Sequence, residues 1–298
     1  MERLARFSAS SVIADGPAST ATKFAEMQVI RQRKRAELEA EERRTGISLS
    51  LIPTCNEMCP EFERLERELH LDVHSFEAKN AGIGVASTGY LIDPQKAVKK
   101  YHRPAAGNET PLPEDIRTPE ALIQTCSYLF HDILDNKQKT AAVPFSEVHA
   151  FVRDRTRSVR QDLTLQSCRD HRAIAMHEQI ARFHIMSGHV LCEADPADFD
   201  AFQNTEQLRK VLQSLREMYG DSGRNTVHPN EAEFRAYYIL THLQDPTIFR
   251  TALEFEKVLG VEYVRRALDA AYCYHSNDYF GYCRLIKTGD YLEACLLH

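Results

Sequence analysis

Four residues near the start of the chain have the types and much of the order of a zinc site. They are Cys55, Cys59, His70 and His74, a Cys-x3-Cys-x10-His-x3-His pattern. Thiolate and imidazole are the ligands that tetrahedral zinc takes, and a Cys2His2 finger arranges them in this order. The finger, however, puts about 12 residues between its second Cys and first His. Here Pro60-Glu61 also stand where the finger's knuckle would turn. The expectation is therefore no metal: the thiols anchor an extended segment and the histidines lie along a helix side. His177-Glu178 begins a zincin helix, but Ala181 occupies the place of the second ligand. His177 and His184 accordingly read as core or interface histidines. Gly82-Ile83-Gly84 lacks the third glycine and the preceding strand of a dinucleotide fold, and neither a P-loop nor a G-x-S-x-G elbow occurs. No catalytic residue is assigned, and no cofactor is implied.

Phosphate chemistry has better candidates. Residues 151–172 hold Arg153, Arg155, Arg157, Arg160, Arg169 and Arg172 against Asp154, Asp162 and Asp170. Arg153, Arg157 and Arg160 fall at i, i+4 and i+7, one face of a helix. Arg155 points elsewhere, placed to pair with a carboxylate. A second cluster, Lys96, Lys99, Lys100 and Arg103, has Tyr101 and His102 within it. Lys99, Lys100, Arg103, Arg153, Arg157 and Arg160 are the candidate nucleic-acid contacts, through phosphates. The competing reading pairs them with acidic helices of the same protein. A third run, Arg31 to Arg35, is followed by Glu37, Glu39, Glu41 and Glu42, which reads as a solvated helix with i,i+4 pairs. A nuclear-import or nucleic-acid patch is its sharper alternative.

The elements that must position these groups are helices. The chain has 298 residues, 43% hydrophobic and 27% charged, the balance of a soluble globular protein. Its 37 basic and 43 acidic side chains leave a net charge of −6, which excludes the overall basicity of a histone-like protein. No apolar run approaches the ~18 residues of a membrane span, and Met1-Glu2-Arg3-Leu4 does not open a secretory signal. Eight scattered cysteines without such a signal read as reduced thiols of the cytosol or nucleus. Glycine is scarce, 12 residues in all, and no strand alternation is found. Residues 1–22 read as disordered, 23–44 as a charged helix, and 46–60 as irregular. Short helices are expected from Pro60 to about Leu71 and from Pro94 to near Tyr101, with a glycine loop between them. The apolar positions from Leu122 to Leu134 follow a helical period, and Pro144 opens a helix towards Leu163. Further helices are expected at about 171–192, 204–219, 230–243, 246–258, 260–275, 276–287 and 290 to the end. Thr205 and Asn277 read as caps, and Pro246 as a first helical residue. The fold expected is all-α, stacked antiparallel helices in a TPR-like solenoid. The divisions read as 1–50, a disordered start plus charged helix; 51–112, an irregular segment with the Cys-x3-Cys motif; and 113–298, a helical-repeat domain.

Six stretches taken together resemble the suppressor-of-actin (Sac)/GANP family. They are Thr54-Cys55-Asn56-Glu57-Met58-Cys59-Pro60-Glu61, Ala97-Val98-Lys99-Lys100-Tyr101-His102-Arg103, and the segment from Arg155 to Gln166. Then come Arg182-Phe183-His184-Ile185 with His189 to Glu193, Glu231 to Tyr237, and Tyr291 to Leu296. Asn56-Glu57 replaces the family's usual Pro-Asp pair. The resemblance implies a non-enzymatic scaffold of the PCI type in a nuclear mRNA-export complex that couples transcription to the nuclear pore. It implies two protein partners, a PCI-domain subunit and a small acidic proteasome-lid-type subunit, with RNA as a further partner and no membrane. The localisation implied is nuclear, at the pore, with a cytoplasmic pool. The rival expectations are a centrosomal or other PCI assembly and a zinc-dependent nucleic-acid-binding module. In the family the helical domain leads into a winged helix, and this chain stops at His298, about where that module would begin. A divergent short member and a truncated chain both fit. On either reading Tyr279, Phe280, Tyr282, Leu285, Leu292 and Leu296 are the expected partner interface, since exposed apolar patches mark unmet contacts.

Overall fold

The computed structural model describes residues 17–45, 52–79, 91–103, 111–136, 140–141, 143–221, 226 and 228–298. The loop expected around Gly82, Gly84 and Gly89, and residues 1–16 of the expected disordered start, lie outside them. The chain forms two compact units, Met1–Lys99 with Pro104–Thr118, and Lys100–Arg103 with Pro119–His298. Among the described residues there is no strand, only the isolated bridges Cys55–Arg117 and Ala78–Ile92.

In the first unit, α1 (Pro17–Thr45) is built from Ala, Glu, Gln, Lys and Arg, good helix formers. It starts at Pro17, so residues 17–22 are helical rather than disordered. Most of its charges are solvated, as in the exposed Arg33–Glu37 pair at 2.9 Å. Arg31 is the exception. It is 5% exposed, grips Asp115 through two bonds of 2.6 and 2.7 Å, and lies 4.0 Å over the Phe62 ring. The second helix, α2 (Glu61–Leu69), follows Pro60 and ends at a left-handed Leu71. Beneath it Cys59, Val73, Ala78, Ile92 and Ala97 form a small core.

The helix expected from Pro94 to Tyr101 does not form. A turn at 94–96, closed by Ala97 N–H on the Asp93 carbonyl at 2.8 Å, does not continue as a helix, because the next amides find better partners across the unit than along the chain. Val98 N–H donates to the Glu77 carboxylate at 2.8 Å, and Lys99 N–H to the Met58 carbonyl at 3.0 Å. Both Ala97 and Val98 are fully buried there.

The second unit is the all-α stack anticipated from the period. It contains α3 (Pro119–Ser127), α4 (Phe145–Leu165), α5 (His171–Val190), α6 (Ala201–Asp221), α7 (Glu231–Leu240), α8 (Ile248–Ala252), α9 (Glu262–Ser276), α10 (Tyr279–Thr288) and α11 (Tyr291–Leu297). A π-helical turn, Tyr128–Leu134, continues α3. It lets Leu129, Phe130 and Ile133 all reach the interior, although a regular α-helix had been expected through Leu134. In the stack α5 packs on α6, α7 on both α6 and α9, and α11 on α5 and α7. Ile239, Ile248, Phe255, Val264, Ala267 and Leu297 lie in the core that closes the carboxyl-terminal half.

The two expected caps and the expected first helical residue are placed differently. Thr205 lies inside α6 and bonds back to the Ala201 carbonyl at 2.9 Å, while Asp200 accepts from Gln203 N–H. Asn277 ends α9 in the left-handed region, φ 58°, and Asp278 caps α10 through Gly281 N–H at 2.9 Å. Pro246 sits in the turn before α8, where Asp245 accepts from Thr247 N–H. No helix among the described residues is long and apolar enough to cross a membrane.

Candidate nucleic-acid interface

The six arginines of residues 151–172 divide by the partner each one finds. Arg155 is buried and pairs with Asp154 at 2.5 Å. Arg169 pairs with Asp221, and Arg172 bridges Asp170 and Glu120, each at 2.8 Å. The three on one face of α4 meet no carboxylate in this way. Arg153 bonds the Gln203 amide oxygen, Arg160 bonds Gln207 Oε1 at 3.1 Å, and Arg157 lies 3.9 Å over the Tyr101 ring. Neutral partners fix the direction of a guanidinium without cancelling its charge. Burial, reinforced by the neighbouring Arg157 charge, pulls Arg160 down to about 10 and lowers Arg153 as well. Both stay cationic at neutral pH; Asp200 and Asp154 act on Arg153 from a distance, and among the described residues no carboxylate acts on Arg160.

The second cluster joins this face only in part. Lys100–Arg103 runs along α4: Tyr101 N–H donates to Asp154 at 3.3 Å, and Gln161 donates to the His102 carbonyl at 3.0 Å. Lys100, Arg103, Arg153, Arg157 and Arg160 therefore belong to one unit. Lys99 belongs to the other. It is 8% exposed and its ammonium donates to the Asp115 carbonyl at 2.6 Å, which withdraws it from the candidate phosphate contacts.

Under the basic face lies a buried histidine layer. His184 Nδ1 donates to Asn204 Oδ1 at 2.8 Å, and His149 Nε2 donates to the same oxygen at 3.3 Å. His177 Nδ1 donates to the Ala173 carbonyl one turn back at 2.8 Å. Burial pulls the three pKa values down to about 3, 4 and 4 respectively, so all are neutral. His177 and His184 are core residues.

Of the Cys-His pattern, Cys55 and His74 are bonded locally, and His70 lies exposed at the end of α2. The Cys55 thiol donates to the Glu57 carbonyl at 3.4 Å. Cys59 is fully buried, and that burial, before the nearby Glu63, pushes its thiol well up. His74 Nδ1 accepts from Phe76 N–H at 3.3 Å. Among the described residues, no three His, Cys, Asp or Glu side chains are grouped to hold a metal ion.

Of the expected partner interface, only Tyr279 and Phe280 project fully, 74% and 80% exposed. Tyr282, Leu285 and Leu296 pack against the carboxyl-terminal core, and the Tyr282 hydroxyl donates to the Leu297 carbonyl at 3.2 Å. Leu292 is half-buried. The exposed set is aromatic and includes residues not singled out in the sequence, Tyr272, Tyr274 and Tyr291. Their signal was weak, because on an amphipathic helix a tyrosine reads as core and rim alike.

The second unit is thus an all-α helical stack that presents an arginine face and an exposed aromatic rim. The model of the SAC3/GANP family matches residues 58–298, and the chain belongs to that family. Among its curated relatives, SAC3 family protein 1 of Schizosaccharomyces pombe is 46% identical over 68% of this chain and 19% of the relative. Protein xmas of Drosophila melanogaster is 36% identical over 82% of this chain and 12% of the relative. SAC3 family protein B of Arabidopsis thaliana is 32% identical over 83% of this chain and 15% of the relative. The chain thus matches less than a fifth of the length of each of these relatives.

Proposed function

We propose that this chain is a non-enzymatic scaffold segment of a transcription-coupled mRNA-export complex at the nuclear pore. Membership of the SAC3/GANP family across the helical stack is the observation that carries this reading. A PCI-domain subunit and a small acidic lid-type subunit are its protein partners, and the exposed aromatics of α9 and α10 are where we place protein contact. Tyrosine and phenylalanine are enriched at the centres of interfaces, where they bury large areas at low entropy cost. Affinity purification with mass spectrometry is expected to recover a PCI subunit together with pore proteins. Tyr279→Ser with Phe280→Ser should abolish that recovery while shifting folding stability by less than about 0.5 kcal/mol, as is usual for exposed positions. Recovery of tubulin and centrosomal proteins instead would replace export by the centrosomal reading.

RNA is the further partner proposed, with Arg153, Arg157 and Arg160 touching phosphates. Each contact releases counterions, so affinity should fall steeply with salt, and each Arg→Glu change should make that dependence shallower by about one unit of slope. The three variants are expected to melt close to the unaltered chain, whereas Arg155→Glu, which strands Asp154 beside a buried anion, should melt early. If all four melt early and none selectively loses RNA, the face is structural.

A further inference from the structure

Beyond the scaffold role, a second feature of the same unit has the chemistry of a ligand site. Where α4, α6 and α7 meet there is an open-sided cavity of about 440 Å³, lined by Arg160, Arg209, Lys210, Gln213, Ser214, Tyr238 and His242. That volume lies within the range of small-molecule sites. Three of the seven lining residues are permanent cations, three are neutral polar groups and the histidine is described below. None is a carboxylate.

The fixed cations are held in place by groups outside the cavity. Arg209 donates to the Thr241 carbonyl at 3.1 Å and reaches Glu206 at 3.4 Å. Arg160 is held by Gln207. In each of them Nε is shut off from solvent and meets no acceptor. Lys210 is exposed and has no carboxylate partner among the described residues. Gln213 and Ser214 add polar groups, although the Ser214 hydroxyl bonds the Lys210 carbonyl and Gln213 bonds Glu217.

His242 donates through Nδ1 to the Tyr238 carbonyl at 2.8 Å, and burial, reinforced by Arg209 and Arg216, lowers its pKa. It therefore sits there as a neutral ring. A cavity in the first unit is more fully neutralised. Its Arg31, Lys34 and Arg64 are paired with Asp115, Glu114 and Glu57.

From this geometry we infer that the α4–α6–α7 cavity binds a compact polyphosphate anion, with Arg160, Arg209 and Lys210 as the charge-bearing contacts. Among the described residues Arg160 and Lys210 meet no carboxylate and Arg209 meets only Glu206, at 3.4 Å, so cations outnumber anions here. A ligand carrying several negative charges relieves their repulsion while accepting charge-assisted hydrogen bonds. A nucleobase is a poorer fit. The Tyr238 ring already stacks on His242 at 4.4 Å, lies under Arg216 at 5.3 Å and meets the edge of Phe255, which leaves it no role as a stacking platform. The site is independent of the export reading: it would bind its anion whichever assembly the scaffold serves.

Calorimetric titration of the whole chain with inorganic tripolyphosphate, at two salt concentrations, tests the assignment. We expect one site per chain, weakened about tenfold or more by Lys210→Glu and by Arg160→Gln, in line with the loss of one charge-assisted contact. Lys210→Gln, a milder change at an exposed position, should weaken it several-fold, and Lys287→Glu on α10 should leave it unchanged. The same ligand should raise Tm in the unaltered chain and not in Lys210→Glu. A single-stranded RNA decamer is the competing arm: it shares only Arg160 with the cavity, so it is expected to weaken tripolyphosphate binding several-fold at most. Lys210→Glu should remove tripolyphosphate binding and not RNA binding, and Arg153→Glu the reverse. No measurable binding, binding indifferent to Lys210, or displacement by RNA with equal sensitivity to Arg153→Glu would each overturn the inference, the last by making the cavity one stop on an RNA track.

Discussion

Lowering the pH from 7 to 5 is expected to reduce Tm of the second unit by about 10–20 °C, through three histidines that the fold keeps neutral. His149, His177 and His184 are pulled down from the ordinary value near 6.5 to about 4, 4 and 3, first by burial. Around them stand Arg160, from which His177 and His184 feel repulsion, and Arg153, which acts on His149 and His184. No group among these would welcome a proton. The unfolded chain therefore binds more protons than the folded one between about pH 6.5 and pH 4, and stability, whole above that window, drains as pH falls through it. Each unit of pH inside the window costs about 1.4 kcal/mol per histidine, hence about 2 kcal/mol each at pH 5. His149 and His184 share Asn204, so the three do not simply add, and about 4–6 kcal/mol is the expected sum. A change of 1 kcal/mol moves Tm by roughly 2–4 °C in a unit of this size. Differential scanning calorimetry from pH 7.5 to 4.5 measures it directly. His177→Met, which keeps the volume and removes one titrating ring, should flatten the slope by about a third. A Tm that stays level to pH 5 would mean these rings are solvated and the layer is looser than described.

The helices of the second unit were legible because each has a wide apolar face at helical period, as in Val148, Phe151, Val152 and Val159 of α4. Boundaries fell within a few residues, except that the helix expected over 246–258 is only Ile248–Ala252, followed by a 3-10 turn to Phe255. What the period could not carry is what neighbours decide. Ala97-Val98-Lys99 looks helical alone and is not, because Glu77 and Met58 take the amides of Val98 and Lys99. Leu285 and Leu296 looked sticky and are core because α9 and α7 lie against them. The grouping of Arg153, Arg157 and Arg160 could be read from spacing, but whether carboxylates neutralise them depended on helices far along the chain. Arg209 and Lys210 were overlooked for the same reason: two adjacent cations mean little until α4 brings a third.

The family motifs, by contrast, were legible for a structural reason. Most of their side chains face inward, so what the sequence displays is the scaffold's internal bonding rather than its site. Arg182, in one motif, makes two bonds of 2.9 and 2.7 Å to Glu233 in another, and lies over Phe234. Glu231 and Arg235 form a buried pair at 3.1 Å beside Tyr219, whose hydroxyl donates to Glu178 at 2.7 Å. Glu293, from the last motif, is buried and accepts from Arg266 at 3.1 Å. Order and spacing of such pairs identify a fold well and say little about which surface is used. The basic face, whose spacing was legible, and the aromatic rim lie mostly outside these pairs, so which of their side chains meet a carboxylate or stay exposed is decided by the packing.

The largest effect expected in the first unit comes from one such internal pair. Arg67→Met should destabilise the unit by about 3–5 kcal/mol, the usual cost of leaving a buried carboxylate without its partner. Arg67 and Glu77 are both buried, at 4% and 0% exposure. The guanidinium forms an ion pair with Glu77, one arm at 3.2 Å, and also donates to the carbonyls of Val98 at 3.2 Å and Asp72 at 3.1 Å. Burial by itself would lower the arginine's pKa, but Glu77 outweighs it and the net direction is upward. The pair thus joins α2, the turn at Asp72, the short 3-10 segment Ser75–Glu77 and the strap at Val98, which is why neither the helix expected after Pro94 nor a finger after Cys59 is found. Glu77→Gln keeps an acceptor for Val98 N–H and leaves Arg67 with Glu63 at 3.9 Å, so it should cost less than Arg67→Met. In Arg67→Met with Glu77→Leu the stranded charge disappears, and a good part of the loss should return, a coupling of 1 kcal/mol or more on the order seen for contacting residues. Urea unfolding followed by hydrogen exchange at the α2 amides reads all three variants. Equal losses in the two single variants, summing in the double, would show that the two side chains act separately and that the strap is held by its backbone bonds alone.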